Sequence, residues 1–312
     1  MFGIASFVVP SSAIPSHAML PPGVALAVAA ALAFGGYLVA YKRAFADLPA
    51  TVYVAANEAA ALGWYAVIAA VTWPTGEPLV PPGTGLRDGL LVAGVGLAAG
   101  AATLVSIRAF KLGEVSYVAP LNKLVPVFVL PLELLVLAER LGPLQVVGVL
   151  VATAAIYVAN YEGGGALAPF RRAAGYTPAR LALGGAVLFA VADVGTRAAL
   201  STTALVPQAV ALATLVGVTL VSLPFAASRL PESGLRESLP GLVALAAVFA
   251  VAIHLAVLAF DAAPASVVSP VVNTQAVVAV VLGGLLLGER GLGRRLLAAL
   301  LAVAGVALIA AG

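Results

Sequence analysis

Residues 116–140 read SYVAPLNKLVPVFVLPLELLVLAER, and residues 266–290 read SVVSPVVNTQAVVAVVLGGLLLGER. At a constant offset of 150, Ser116 falls on Ser266, Pro120 on Pro270, and Glu139-Arg140 on Glu289-Arg290. Phe110 and Phe260 keep the same register. At an offset of 155, Phe34 falls on Phe189 and Lys42 on Arg197. Coincident Ala, Val and Leu mean little in so apolar a chain. Ser, Pro and Glu-Arg in one register mark an internal duplication. Each copy is a long apolar run interrupted by few charges, so what has been duplicated is a set of membrane-crossing segments.

Working outward, the whole chain has the same character. Its 312 residues are 62% hydrophobic and 9% charged, with a mean hydropathy of +1.12. A soluble domain carries about 25% charged residues, and no soluble fold of this length would hide so much apolar surface. The composition is that of an all-α integral membrane protein. A helix needs about 20 apolar residues to cross the hydrocarbon core. Ten such runs are predicted, at roughly 22–42, 50–73, 88–109, 115–137, 142–160, 180–200, 206–227, 238–260, 265–287 and 292–311. They are long and continuous rather than alternating, which excludes a β-barrel.

The longest polar connection, from Glu162 to Arg180, falls at mid-chain. It divides the chain into a first five-span repeat, 22–161, a linker, 162–179, and a second five-span repeat, 180–312. Residues 1–21 contain Pro10, Pro15 and His17, lack a basic n-region and are expected to form a disordered or interfacial leader. An odd number of spans per repeat puts the two copies into the membrane from opposite sides. Inverted repeats of this kind are typical of secondary transporters, with a site near the midplane between the halves.

Several functions are excluded. The net charge is +3 with no basic run, so no nucleic-acid partner is expected. There is no cysteine, and no H-E-x-x-H, G-x-S-x-G or P-loop string. No catalytic residue, metal site or cofactor is assigned, and the chain is not expected to be an enzyme. The expected partners are the lipid bilayer and a small-molecule solute; nothing in the sequence assigns an oligomeric state.

The two quoted stretches, extended through GPLQVVGVLVATAAIYVA and GLGRRLLAALLAVAGVAL, resemble the drug/metabolite transporter superfamily, EamA type. The pattern is a small or Ser-rich start, a proline, an apolar stretch, L-G-E-R and a Gly/Ala-rich final helix, once per half. The first half departs from it with LAER. The resemblance implies a transporter of the cell membrane whose first, third, fourth, sixth, eighth and ninth spans line a central cavity, with the fifth and tenth at the edge. It leaves the solute open among amino-acid-like, nucleotide-like and drug-like compounds. A non-transporting membrane scaffold is the alternative.

The candidate binding residues are Lys123, Asn122, Asn273, Ser116, Ser266 and Ser269. Lys123 lies eight residues, about 12 Å, into the fourth span, where a lone lysine costs about 2.5–3.5 kcal/mol on insertion scales. It is either tied to an acid or to helix-end carbonyls, or faces a wet cavity. Lys123 aligns with Asn273, and each follows its serine, Ser116 or Ser266, by seven residues on the same helix face. Pro120, Pro126 and Pro270 each lack an N–H and release a carbonyl four residues back. Such carbonyls are tolerated where protein or water satisfies them.

Asp193, in the sixth span, and His254, in the eighth, are the proton-coupling candidates. Asp193 either pairs with Arg197 one turn on or faces the cavity. His254 is either a packing residue or a titrating one. Glu58 and Glu133 are expected near an interface and solvated, and Glu139-Arg140 to form an ion pair at a helix joint. Gly96-xxx-Gly100 and Gly284-xxx-Gly288 are small-xxx-small patterns for close helix packing. Basic residues cluster after odd-numbered spans, including Lys42, Arg43, Arg108 and Lys111. The positive-inside rule then puts both termini outside, whereas the family resemblance implies cytoplasmic termini.

Overall fold

The computed structural model describes residues 20–113, 118, 121–160, 175–227, 229–230, 235–287 and 292–312. Among them every regular element is a helix: α1 Pro22–Ala44, α2 Ala50–Thr72, α3 Leu86–Leu112, α4 Val125–Leu137, α5 Pro143–Asn160, α6 Thr177–Thr202, α7 Pro207–Ala227, α8 Leu235–Ala262, α9 Ala265–Asn273, α10 Gln275–Leu287 and α11 Leu292–Ala311. Seven stretches are long and apolar enough to cross a membrane, with α9 and α10 counted together. At the fourth, fifth and tenth expected spans lie the apolar helices α4, α5 and α11, of 13, 18 and 20 residues. Leu135, Leu285 and Leu300 point outward and are exposed, as side chains facing lipid must be.

The packing carries the mark of the duplication. α1 packs on α8 as α6 packs on α3, and α2 packs on α8 as α7 packs on α3. α1 meets α9 and α10 as α6 meets α4. The remaining main contacts, α2 with α7, α4 with α9 and α5 with α11, join equivalent spans of the two halves. Lipid and helix are equally apolar, so close packing of small residues holds these helices together. Ala27 and Ala30 of α1, Ala186 and Ala190 of α6, and Ala246 and Ala250 of α8 are fully buried in one core. At the α3–α7 crossing, a Cβ on Gly217 would lie 2.6 Å from the Gly96 Cα, so the backbones touch directly. Gly148 and Gly305 do the same for α5 and α11.

Two spans are not the single helices expected from their hydropathy. The fourth is helical at 121–122, turns at Lys123 and resumes as α4 at Val125. The ninth is split at Thr274 between α9 and α10. The breaks coincide under the offset of 150. Leu124 N–H donates to the Leu121 carbonyl at 3.2 Å, and Thr274 N–H to the Val271 carbonyl at 3.1 Å. Val127 N–H donates back to Leu124, and Val277 N–H to Thr274. Both spans thus tighten into i→i+3 bonding at one equivalent turn. Pro126 lacks an N–H for the Asn122 carbonyl, which accounts for the first break. The position equivalent to Pro126 is Ala276, so proline alone does not explain the second. Pro270 sits inside α9 without interrupting it.

Candidate functional site

A cavity of about 280 Å³ lies between the halves, against both helix breaks. Its lining includes Asn122, Lys123 and Val125 around the first break and Ser269, Asn273 and Gln275 around the second. Asp193 and Thr196 of α6 face it, together with Phe34 of α1 and Phe189 of α6. α8 supplies Phe249, Ile253, Val257 and Phe260, and α7 adds Ala211 and Thr214. The lining is apolar walls around a few convergent polar groups, the usual make-up of a small-molecule site.

The local structure places each polar group. Lys123 occupies the turn that precedes α4, so it projects from an interruption rather than from the flank of a continuous helix. Asn122 is buried and held: its Nδ2 donates to Ser106 Oγ at 2.7 Å and to the Ala182 carbonyl at 3.5 Å. Gly185 makes room for this contact, since a Cβ there would lie 2.6 Å from Ser106 Oγ and 3.1 Å from Asn122 Nδ2. Ser269 Oγ donates to Asp193 Oδ2 at 2.5 Å, joining α9 to α6. Asn273 Nδ2 donates to the Ser269 carbonyl at 2.9 Å, which holds its amide against the wall. Lys123 has no ion-pair or hydrogen-bond partner among the described residues. Lys123 and Asp193 therefore line one cavity with no ion pair between them among the described residues.

Of the residues singled out in the sequence, Asn122, Lys123, Asp193, Ser269 and Asn273 meet here. Ser266 does not line the cavity: its Oγ donates to Glu133. Ser116 lies outside the described residues. His254 lies away from the lining, with Nδ1 3.2 Å from the Tyr65 hydroxyl. Thr196, Thr214 and Gln275 were not anticipated. Phe34 and Phe189 were visible as an aligned pair in the duplication, and both prove to be walls.

The expected ionic contacts need correcting. Arg197 does not pair with Asp193. Its guanidinium bonds Glu139 at 3.1 Å and donates to the Phe260 and Asp261 carbonyls at 3.1 and 2.8 Å. The long guanidinium arm reaches the unpaired carbonyls at the end of α8, and its fixed fork binds them together with a carboxylate. Glu139 thus bonds Arg197. Glu133 is not solvated: it is 1% exposed and caps α9, accepting from Ala265 N–H, from Ser266 N–H at 2.7 Å and from Ser266 Oγ. The first N–H groups of α9 lack intrahelical partners, and the carboxylate supplies the acceptor. Glu58 is not solvated either, being 9% exposed inside the bundle. Glu289 and Arg290 lie outside the described residues.

The profile of the EamA-like transporter family matches residues 21–161 and 178–311. The chain belongs to the EamA-like transporter family. It is a multi-pass integral membrane protein of the drug/metabolite transporter superfamily. A Sinorhizobium sp protein described as an uncharacterized transporter in the cobO 3'region is 40% identical over 96 residues, which span 30% of this chain and 68% of that relative. A protein of known crystal structure superposes with a TM-score of 0.72 at 16% identity, over 93% of this chain and 96% of the other, which establishes a shared fold. Within this EamA-like chain, α5 and α11 pack on each other outside the cavity, at the edge, as the resemblance implied. The contribution of α7 to the lining goes beyond the implied set.

Proposed function

We propose that this EamA-like protein carries a small zwitterion, an amino-acid-like solute, across the cell membrane by alternating access. The reading is carried by one observation: Lys123 and Asp193 line the same cavity and form no ion pair with each other. Lys123 receives the solute carboxylate, and Asp193 its ammonium. Asn273 and Ser269 orient the polar end, and the Phe34, Phe189 and Ile253 walls accept an apolar side chain. A cavity of about 280 Å³ lies just below the usual range for ligand pockets. That supports a small metabolite over a nucleotide-like or large drug-like compound. When the solute leaves, Asp193 is free to take up a proton in its place, which couples the two. His254, bound to Tyr65 away from the cavity, is the lesser candidate.

The proposed frame is ten crossings in two inverted repeats, 22–161 and 180–312, with 162–179 as linker. The exchange of packing partners between the halves supports it. Exchanging which pairs are tight opens the cavity first to one side, then to the other. The test uses proteoliposomes and three labelled probes: L-leucine, N-acetyl-L-leucine and L-leucinamide. Uptake of L-leucine well above the two singly charged analogues is expected. Equal uptake of all three would overturn the charge-pair reading, and uptake of none would favour a scaffold.

A further inference from the structure

We propose that Glu58 is a proton-binding site, separate from the solute cavity. Glu58 is the ninth residue of α2, about 12 Å from the start of that helix. It is 9% exposed and has no hydrogen-bond or ion-pair partner among the described residues. Ionised carboxylates inside a membrane protein find cations, N–H donors or water. Glu133 shows how this protein satisfies a buried carboxyl group, with the start of α9 folded onto it. Glu58 has no such arrangement, so it is held as the neutral acid in this conformation.

Among the described residues no neighbouring helix pairs a charge with Glu58. α7, which packs on α2, has no ionisable side chain. α8 brings Arg236 and Glu237 at its start, His254 bound to Tyr65 and Asp261 at its end, and α3 has Arg87, Asp88, Arg108 and Lys111 near its two ends. None of these bonds Glu58 among the described residues. From α1 come Tyr37, whose hydroxyl accepts from Tyr53 of α2 at 2.9 Å, then Tyr41, and Lys42 and Arg43 in its last turn. A metal cation does not fit. The nearest unpartnered buried oxygen on the same helix face is Thr51 Oγ1, seven residues or about 10.5 Å along the axis, and Asn57 Oδ1 points about a quarter-turn away.

Those two orphaned oxygens are a second observation. α2 has more hydrogen-bonding capacity on its buried faces than this conformation satisfies. Buried polar atoms without partners are rare in a settled structure, so Thr51 and Asn57, on the same helix as Glu58, belong to a surface that meets water in another conformation. A chain of rings runs from Tyr41 and Tyr53, centroids 4.2 Å apart, through Tyr37 to Phe249 at 4.9 Å, and Phe249 lines the cavity. Parting α1 and α8 from α2 would widen water access to the Glu58 face of α2 and disturb the cavity wall together. The carboxyl would then release its proton to water, and a proton from water must return before the helices close again.

The test needs no solute, so its failure is distinct from failure of the zwitterion reading. Infrared difference spectra between acidic and alkaline buffer would be recorded on the full chain in liposomes, for wild type, Glu58→Gln, Glu58→Asp and Asp193→Asn. The expected result is a titrating carboxylic-acid C=O band in wild type that persists in Asp193→Asn and is lost in Glu58→Gln. In Glu58→Asp the band should return at a shifted frequency. A band unchanged by both Glu58 substitutions, or no such band in wild type, overturns the proposal. Should Glu58→Gln not fold, as the amide bands of the same spectra reveal, the frequency shift in Glu58→Asp decides.

Discussion

Lys123 and Asn122 are neighbours with opposite assignments. Asn122 is spent on the protein itself, binding α3 and α6 through Ser106 and Ala182. Removing it in Asn122→Ala leaves buried polar atoms unpaired and is expected to cost about 1–3 kcal/mol of stability, measured by thermal unfolding in detergent. Lys123 has no such partner among the described residues and, in the proposed reading, receives the solute carboxylate. Lys123→Met is expected to leave unfolding nearly unchanged and to weaken L-leucine binding by about 10- to 100-fold, the worth of a hydrogen bond to a charged group. Calorimetric titration checks it; unaltered affinity would remove Lys123 from the site. The sequence made Lys123 conspicuous because a charge in an apolar run stands out. It gave no sign that Asn122 was already satisfied, because its partners lie 16 and 60 residues away.

At the level of helices, the decisive features are close crossings and paired breaks. Gly94 and Gly96 sit two residues apart on α3 and face opposite conditions. A Cβ on Gly94 meets nothing within 4 Å, whereas one on Gly96 lies 3.0 Å from both the Ala213 carbonyl oxygen and the Gly217 Cα. Gly94→Ala is expected to be neutral or to stabilise α3 by up to about 1 kcal/mol through helix propensity. Gly96→Ala should destabilise by about 1–3 kcal/mol through overpacking. Opposite shifts in melting temperature test the crossing, and two shifts of the same sign would refute it. The Gly-xxx-Gly spacing announced a contact but not its partner, which proved to be α7. The break at Thr274 had no local signal, since no proline follows it as Pro126 follows Lys123.

For the whole molecule, the contacts around Arg197 join α6, the end of α8 and the segment after α4 at one end of the bundle. Glu133 ties α4 to α9 at the same end. Under the proposed alternating access, opening the cavity toward that end parts them. Because the chain has no cysteine, a single Ala256→Cys on the cavity wall reports access directly. Adding Arg197→Gln is expected to speed its labelling by a membrane-impermeant maleimide severalfold, from the side where α6 ends. Unchanged labelling would show that these contacts do not close the cavity.

Hydropathy, register and the aligned Ser, Pro and Glu-Arg pairs determined the membrane class, the approximate spans and the pairing of Lys123 with Asn273, because each rests on local composition or on a preserved spacing. They also singled out Asp193 and Ser269, since deep polar residues are few. Tertiary structure alone decided which partners those groups take. Ser269 reaches Asp193 across 76 residues, and Arg197 reaches Glu139 across 58 rather than the acid one turn away. It also decided that Glu58 and Glu133 are buried. In a membrane chain, lipid-facing and helix-facing surfaces are equally apolar, so sequence periodicity separates them poorly. Which carboxylate is capped, paired or left bare follows only from which helices become neighbours.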